Sequence, residues 1–381
     1  MPPARAPING ATLRWAREVA LVDKDELARA ANIKEHRVTE FENGDTCPTL
    51  KQLEAIAKKL DRTPAFFFTD PPAEPDVPEA VDFRAGNGNP PPSRLAREMR
   101  RAEQHRETVI DLEGTPVTPA LVEAINRHNA TSRARELRSL LDLSEFSTAP
   151  GNRDTQTLGF WCRLLEEHGY LVFQTTRVDL AVFRGLSIHH DVLPIILLNG
   201  ADSNNGKVFT LFHEVAHLAN RTSGMCALDD DVNEEAVANM FAASFLMPDA
   251  QVSRLASTVS GTATERAEEA EEIAKALKVS SLAAGVRLRT LNLITDEELE
   301  SIRRDSDRRW AQARESQKKS PGGPPSWRIR YRSLGPGYVG IIAHALEDER
   351  VDLLDASHLL YARVPDVQRM IDEYHRTEAL T

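Results

Sequence analysis

The chain has 381 residues, of which 41% are hydrophobic, and this length favours two or three domains, each with a buried core. Its net charge of -11 excludes nonspecific polyanion binding by the whole surface, so any contact with nucleic acid requires a local patch. The three cysteines include no CxxC pair, which excludes a disulfide framework. No apolar run reaches the roughly 20 residues that cross a bilayer, so we exclude a membrane partner and expect a soluble cytoplasmic protein.

An all-helical domain is predicted at residues 8–70. The apolar spacing there suits five short helices, with Asp23 capping the second, Gly44 ending the third and Thr49 beginning the fourth. The stretch LARAANIKEHRVTEFENGDTCPTLKQLEAIAKKL is similar to the XRE (Cro/CI-type) helix-turn-helix family. In that family the recognition helix lies in the major groove of operator DNA.

The resemblance assigns roles to particular side chains of this domain. Base contacts are expected from the early residues of the recognition helix, namely Lys34, His36, Arg37 and Glu40. Phosphate contacts are expected from Arg14, Lys24 and Lys51.

The charge of this domain argues against simple DNA binding. Residues 1–70 hold 11 basic and 11 acidic side chains, and three of the acidic residues surround the expected reading face: Glu35, Glu40 and Glu42. A DNA-binding module usually has a basic surplus. Binding of operator DNA, homodimerisation and docking of a partner repressor therefore all stay open as uses of the domain.

A proline-rich linker at residues 71–93 separates this domain from a second one at 94–299, which opens with a helical lead-in. Three short strands are predicted in the second domain, at YLVFQ, AVFRGLSI and VLPIILLN. Because proline has no N–H, Pro194 favours an edge position for the third strand, where an extended substrate peptide could pair.

The stretch FTLFHEVAHL, residues 209–218, directly follows these strands and contains the pattern HExxH. On a helix, His213 and His217 share one face and can bind one metal ion. Glu214 is rotated by about 100° around the helix axis, so it can act as a base beside the ion. A catalytic zinc ion takes three protein ligands and leaves one position for water, whose pKa falls to about 7. Burying three ionisable side chains among apolar neighbours also requires a charged partner.

Glu235, which opens the next apolar helix, is our candidate for the third ligand, because a charged group on a buried helix needs a partner. Asn239, one turn later, is expected to support a ligand through its amide. The rival ligands stay open: Glu234, Asp229, Asp230 and Asp231. The oxyanion donor is not placed by the sequence, with Tyr331, Tyr338 and His344 as weak candidates. Cys226 is expected to be an ordinary loop cysteine.

FTLFHEVAHL together with EEAVANMFAASFLMP resembles the ImmA/IrrE family of metallopeptidases over residues 160–290. The resemblance implies that His213, His217 and Glu235 bind one Zn²⁺ per chain and that Glu214 is the catalytic base. It also implies a regulatory endopeptidase that cleaves a helix-turn-helix repressor, often in a stress response. The alternative is a DNA-binding regulator or antitoxin-type protein whose zinc domain binds or senses without proteolysis.

The C-terminal part of the chain is predicted as a charged tether at 300–326 and a helical segment at 327–381. The fold class is therefore α+β and mostly helical. It combines a five-helix helix-turn-helix domain, a zincin-like domain with a three-stranded sheet and an HExxH helix, and a C-terminal helical segment.

Overall fold

The computed structural model describes residues 4–72, 92–114, 117–150, 154–221, 224–225, 232–256, 263–317 and 324–378. The predicted linker lies almost wholly outside the described residues, as do Cys226 and the rival ligands Asp229, Asp230 and Asp231. Contacts divide the chain into two units, Met1–Glu103 and Gln104–Thr381. Each unit is described separately below.

The first unit contains the predicted helical domain. Its helices are α1 (Gly10–Val19), α2 (Lys24–Ala31), α3 (Glu35–Asn43) and α4 (Leu50–Leu60), followed by a 3₁₀ helix at Pro64–Phe68. Their apolar faces close over one core, which includes Leu13, Leu27, Val38, Phe41, Ile56 and Phe67. The five predicted helices are thus confirmed.

Some of these helices have a side-chain cap or a left-handed residue at their ends. Thr49 and Gln52 form a reciprocal capping box at the start of α4, and Gly44 ends α3 in the left-handed region with φ 79°. Asp23 occupies the N-cap of α2, but its side chain makes no capping hydrogen bond. Asp23 therefore takes the predicted cap position without the side-chain hydrogen bond of a cap.

Helices flank a small sheet in the second unit. Helix α5 (Ser93–Glu113) begins in the first unit and ends in the second. It is followed in the second unit by α6 (Ala130–Leu140), α7 (Asp154–Glu167) and the strands β1 (Leu171–Thr175), β2 (Gly185–Ile188) and β3 (Ile195–Asn199). A two-residue strand, β4 (Gly224–Met225), joins them, and the order is β1-β3-β2-β4. The sequence missed β4, which is too short to have a pattern.

The third strand is interior, so the predicted edge position of VLPIILL is wrong. Strand β3 pairs in parallel with β1 and antiparallel with β2, and all five of its residues are buried. Pro194 lies just before β3, so its missing N–H interrupts no ladder. Its carbonyl instead accepts a hydrogen bond from the Leu171 N–H at 2.9 Å.

The remaining helices begin with α8 (Asn204–Ala219), α9 (Val232–Leu246) and α10 (Asp249–Leu255). They continue with α11 (Ala263–Leu277), α12 (Ser281–Thr290), α13 (Asp296–Gln317), α14 (Ser326–Leu334), α15 (Pro336–Glu347), α16 (Leu353–Leu359) and α17 (Val364–Glu378). Among the described helices, none combines the length and apolar character needed to cross a bilayer.

Helix α13 corrects the tether predicted at 300–326, because residues 300–317 are helical. The high charge that suggested a tether instead forms ion pairs at helical spacing. Arg309 pairs with Asp305 one turn earlier at 2.7 Å and also reaches Glu271 of α11. These pairs favour a helix over a solvated coil.

Candidate metal centre

Helix α8 carries the HExxH pattern through the interior of the second unit. Ser203 caps it by accepting a hydrogen bond from the Gly206 N–H at 3.0 Å. Every residue from Leu211 to Leu218 is buried. Phe212 stacks on Phe245 of α9 with ring centroids 3.9 Å apart. This packing fixes α8 against α9, so polar side chains on their facing sides meet.

Three side chains converge between α8 and α9. The His213 Nε2 lies 3.2 Å from one carboxylate oxygen of Glu235, and the His217 Nε2 lies 3.3 Å from the other. The two Nε2 atoms are 3.1 Å apart. Among the described residues, these three form the group that could hold a metal ion, with all donor atoms within 4.8 Å. The structure therefore brings together the three residues expected to be ligands.

Burial and hydrogen bonding have opposite effects on the pKa values of Glu235 and His217. Burial disfavours the ionised form of Glu235, but hydrogen bonds with His213 and His217 outweigh it and hold the pKa of Glu235 well below its ordinary value. Burial likewise disfavours the charged form of His217, yet its hydrogen bond to Glu235 and the charge of Glu214 raise its pKa. The carboxylate of Glu235 is thus held in its ionised form, which is the form that binds a cation.

Asn239 lies behind His213 on the side away from Glu235. Its Oδ1 is 3.1 Å from the His213 Nδ1, so the amide oxygen can accept the Nδ1–H. A proton on Nδ1, held by Asn239, would leave the Nε2 lone pair available to a metal ion. The position matches the supporting role expected from the sequence.

Glu214 is fully buried, with 0% exposure, on the side of α8 that faces β2. A Cβ atom built on Gly185 of β2 would lie 2.8 Å from the Glu214 Oε1. The carboxylate is outside the three-residue metal group although it is next to His213 in the chain. It therefore lies beside the candidate ion position rather than among the ligands.

Glu234, the described rival for the third ligand, lies elsewhere. It is exposed and lines an open cavity of about 480 Å³ together with Asn220, Val237 and residues 125–128. Its neighbour Glu235 therefore takes the facing position, as the helical turn between them dictates.

The four residues expected to contact bases lie on the first turns of α3. Lys34 is the N-cap residue, and His36 is exposed. Arg37 pairs with Glu40, and its guanidinium lies 5.2 Å from the centroid of the Phe41 ring. The structure thus couples Arg37 to Glu40 rather than leaving four independent side chains.

Glu42 was expected near the reading face but is buried, with a side-chain exposure of 1%. It pairs with the Arg17 Nε at 2.5 Å and with Lys24 at 3.6 Å, while Arg14 lies at 3.7 Å. A buried carboxylate requires such cations. Glu42 is therefore not part of an exposed acidic surface, and two of the expected phosphate-binding residues, Arg14 and Lys24, pair with it.

Two family models match the chain. Residues 165–289 match the IrrE N-terminal-like domain of the Peptidase_M78 family, and residues 13–67 match a helix-turn-helix family. The chain joins an XRE-type helix-turn-helix domain to an IrrE-like metallopeptidase domain. Both resemblances found in the sequence are confirmed.

Other comparisons add little to these matches. No curated protein matches the chain. The crystal structure of ComR from Streptococcus suis aligns with 99% of this chain and 97% of that chain at 13% identity, with a TM-score of 0.16. So low a score carries no argument about the fold.

The three candidate oxyanion donors have hydrogen-bond or ring partners other than the metal-ligand candidates of the IrrE-like domain. The Tyr331 hydroxyl lies 3.2 Å from the Thr377 hydroxyl, and the Tyr338 hydroxyl donates to the Leu359 carbonyl at 3.4 Å. The His344 ring packs on Tyr374. None of these contacts involves His213, His217 or Glu235.

Asn220, the C-cap residue of α8, makes long-range hydrogen bonds that the sequence did not predict. Its Oδ1 accepts from the Ile125 N–H at 2.6 Å, and its Nδ2 donates to the Ile125 carbonyl at 3.0 Å. These bonds tie the chain before α6 to the end of α8. The spacing of Asn220 after His213 and His217 puts it on the same helical face, which is the signal that could have identified it.

Proposed function

We propose that the chain is a zinc-dependent endopeptidase that acts as a regulator by cleaving a helix-turn-helix repressor or a similar protein. The Nε2 atoms of His213 and His217 lie 3.1 Å apart, and each lies 3.2 or 3.3 Å from a different carboxylate oxygen of Glu235; these distances carry the proposal. Ligand atoms bound to zinc at about 2.0–2.1 Å in a tetrahedron lie about 3.3 Å apart. The three donors suit one zinc ion with its fourth position open.

The chain's own residues have separate roles in this reaction. Zinc, when bound, supplies polarisation of the scissile carbonyl and acidification of water. Glu214 accepts a proton from the attacking water and passes it to the leaving amine. Asn239 holds the Nδ1–H of His213, which keeps the Nε2 directed at the metal position.

Glu214→Gln tests this division of roles. Glutamine keeps the shape of the side chain but cannot accept the proton, so zinc content should stay at one ion per chain while cleavage falls by about 10²–10⁴-fold. The substrate for the assay is the helix-turn-helix protein encoded beside this chain, incubated with the zinc-loaded full-length protein. Elemental analysis measures zinc, and gel electrophoresis follows cleavage.

Glu234→Gln is the matched control, because Glu234 is an exposed carboxylate on α9 directly before Glu235. This variant should keep both zinc and cleavage. Unchanged cleavage by Glu214→Gln contradicts the proposed base. Stoichiometric zinc without cleavage by the wild-type chain favours the alternative, a regulator whose zinc domain binds or senses.

Operator binding by the helix-turn-helix domain is the second part of the proposal. The pairing of Arg37 with Glu40 supports it, because a guanidinium held on one side can present its other donors to a guanine. Selection from random duplex DNA with the full chain should yield a preferred sequence. Arg37→Ala should weaken binding to that sequence by about 5–150-fold, which corresponds to about 1–3 kcal/mol. Selection of no sequence favours protein docking instead.

A further inference from the structure

Strand β2 passes unusually close to Glu214 at Gly185. A Cβ atom on Gly185 would lie 2.8 Å from the Glu214 Oε1 and 2.4 Å from the Thr210 Cγ2. Ordinary contacts of a Cβ atom begin near 3.4 Å. Any side chain at this position therefore has to displace Glu214, Thr210 or the strand.

The backbone of Gly185 does not itself require glycine. The residue lies in β2, opposite Leu198 of β3, and its φ is outside the left-handed region. Glycine in a strand weakens the strand and commonly marks a close approach by another group. Space for the side chains of α8, rather than a turn, explains the glycine.

The two neighbours differ in how easily they can give way. Threonine in a helix populates two χ1 rotamers, so the Thr210 methyl group can rotate away from a new Cβ atom. Glu214 is fully buried, with 0% exposure, so surrounding protein atoms restrict any movement of its carboxylate. Contact at 3.4 Å instead of 2.8 Å requires a shift of about 0.6 Å in the carboxylate oxygen.

We propose that Gly185 is a positioning residue for the general base, because its missing side chain leaves the slot in which the Glu214 carboxylate lies. This inference rests on the proposed function for its effect on catalysis. Its effect on the position of Glu214 does not depend on that function. A catalytic group displaced by 1 Å can cost about 10²-fold in rate, so a smaller displacement is expected to cost about 10-fold.

Crystal structures of the zinc-loaded wild type and of Gly185→Ala test the position directly. In the variant, the Glu214 carboxylate should move by at least half of the shift required by contact, with zinc still bound. Thr210→Ser removes the methyl group, so the double variant Gly185→Ala/Thr210→Ser should recover thermal stability without recovering the position of Glu214.

Cleavage of casein, used as an unfolded protein probe, supplies the kinetic test. Gly185→Ala and the double variant should both lose about 10-fold in kcat with KM unchanged, since only the base has moved. Gly159→Ala is the matched control, because a Cβ atom there meets nothing within 4 Å. It should behave as the wild type does.

The outcomes separate the two proposals. A Glu214 carboxylate that keeps its wild-type position in Gly185→Ala overturns the inference about Gly185, whatever the activity. A wild-type chain that binds zinc but cleaves neither casein nor the neighbouring repressor overturns the proposed function, while the crystallographic comparison still decides the role of Gly185. A kcat defect fully restored by Thr210→Ser also overturns the inference, because the defect then arises from Thr210.

Discussion

Asn239→Ala should weaken zinc binding without removing any of the three proposed ligands. The Asn239 Oδ1 lies 3.1 Å from the His213 Nδ1, where it can accept a hydrogen bond from the ring. Alanine removes this hydrogen bond, so the His213 ring is held less firmly in the tautomer and orientation that suit a metal ion. Alanine also favours the helix, so the fold of α9 should not suffer.

The size of the effect follows from the exposure of the contact. Loss of a group that holds a metal-binding histidine typically lowers metal affinity by about 10–100-fold, which is about 1.4–2.7 kcal/mol. Asn239 is exposed, so water can replace part of the lost hydrogen bond. We therefore expect a loss of about 10-fold, at the lower end of this range.

Competition with a zinc-binding dye measures this affinity in the full-length chain. Asn239→Asp keeps an oxygen acceptor beside the Nδ1–H and should bind zinc at least as tightly as the wild type. Glu234→Gln, on the same helix but outside the metal group, should also match the wild type. If Asn239→Ala binds zinc as tightly as these controls, the inferred support of His213 is refuted.

Two further changes test buried polar groups of the second unit. Burial raises the pKa of Glu166 to about 8, although the hydrogen bond from the Gly337 N–H and the charge of Arg163 act to lower it. Between the ordinary pKa of 4.5 and this value, the carboxyl group is protonated in the folded chain and ionised in the unfolded chain. The free energy of unfolding should therefore fall, by at most about 5 kcal/mol, as the pH rises through this window, and urea titrations of Glu166→Gln should lack that part of the fall. The Ser187 hydroxyl is buried without a hydrogen-bond partner among the described residues. Ser187→Ala should therefore leave the free energy of unfolding unchanged or raise it by about 1 kcal/mol. A decrease of more than about 1 kcal/mol in the same urea titrations would show that the hydroxyl has a partner.

Local spacing explains which parts of the metal site were predictable. Two histidines four residues apart must share a helical face, and a carboxylate on a buried helix needs a partner, so the meeting of His213, His217 and Glu235 follows from rules that act within one or two helices. The contact between Glu214 and Gly185 has no such local origin. It depends on how β2 packs against α8 in the folded chain, and neither the sequence of β2 nor that of α8 predicts this packing by itself.

The corrected predictions share a physical cause. Pro194, Glu42 and the charges of α13 were interpreted from their intrinsic preferences, whereas the tertiary structure decides their environment. Pro194 needs only to precede an interior strand, and Glu42 is buried because Arg17 supplies a matching charge. The acidic and basic residues of α13 pair along the helix instead of extending a tether. Intrinsic residue preferences predicted the helices and strands but not which residues contact each other in the folded chain.

Anomalous X-ray scattering at the zinc absorption edge tests the proposed metal centre most directly. Crystals of the purified full-length chain should show one peak at about 2.0–2.1 Å from the Nε2 atoms of His213 and His217 and from an oxygen of Glu235. Absence of a peak at these atoms in zinc-supplemented crystals, with Glu235 still hydrogen-bonded to both histidines, contradicts a zinc peptidase. A peak at another group of residues contradicts it equally.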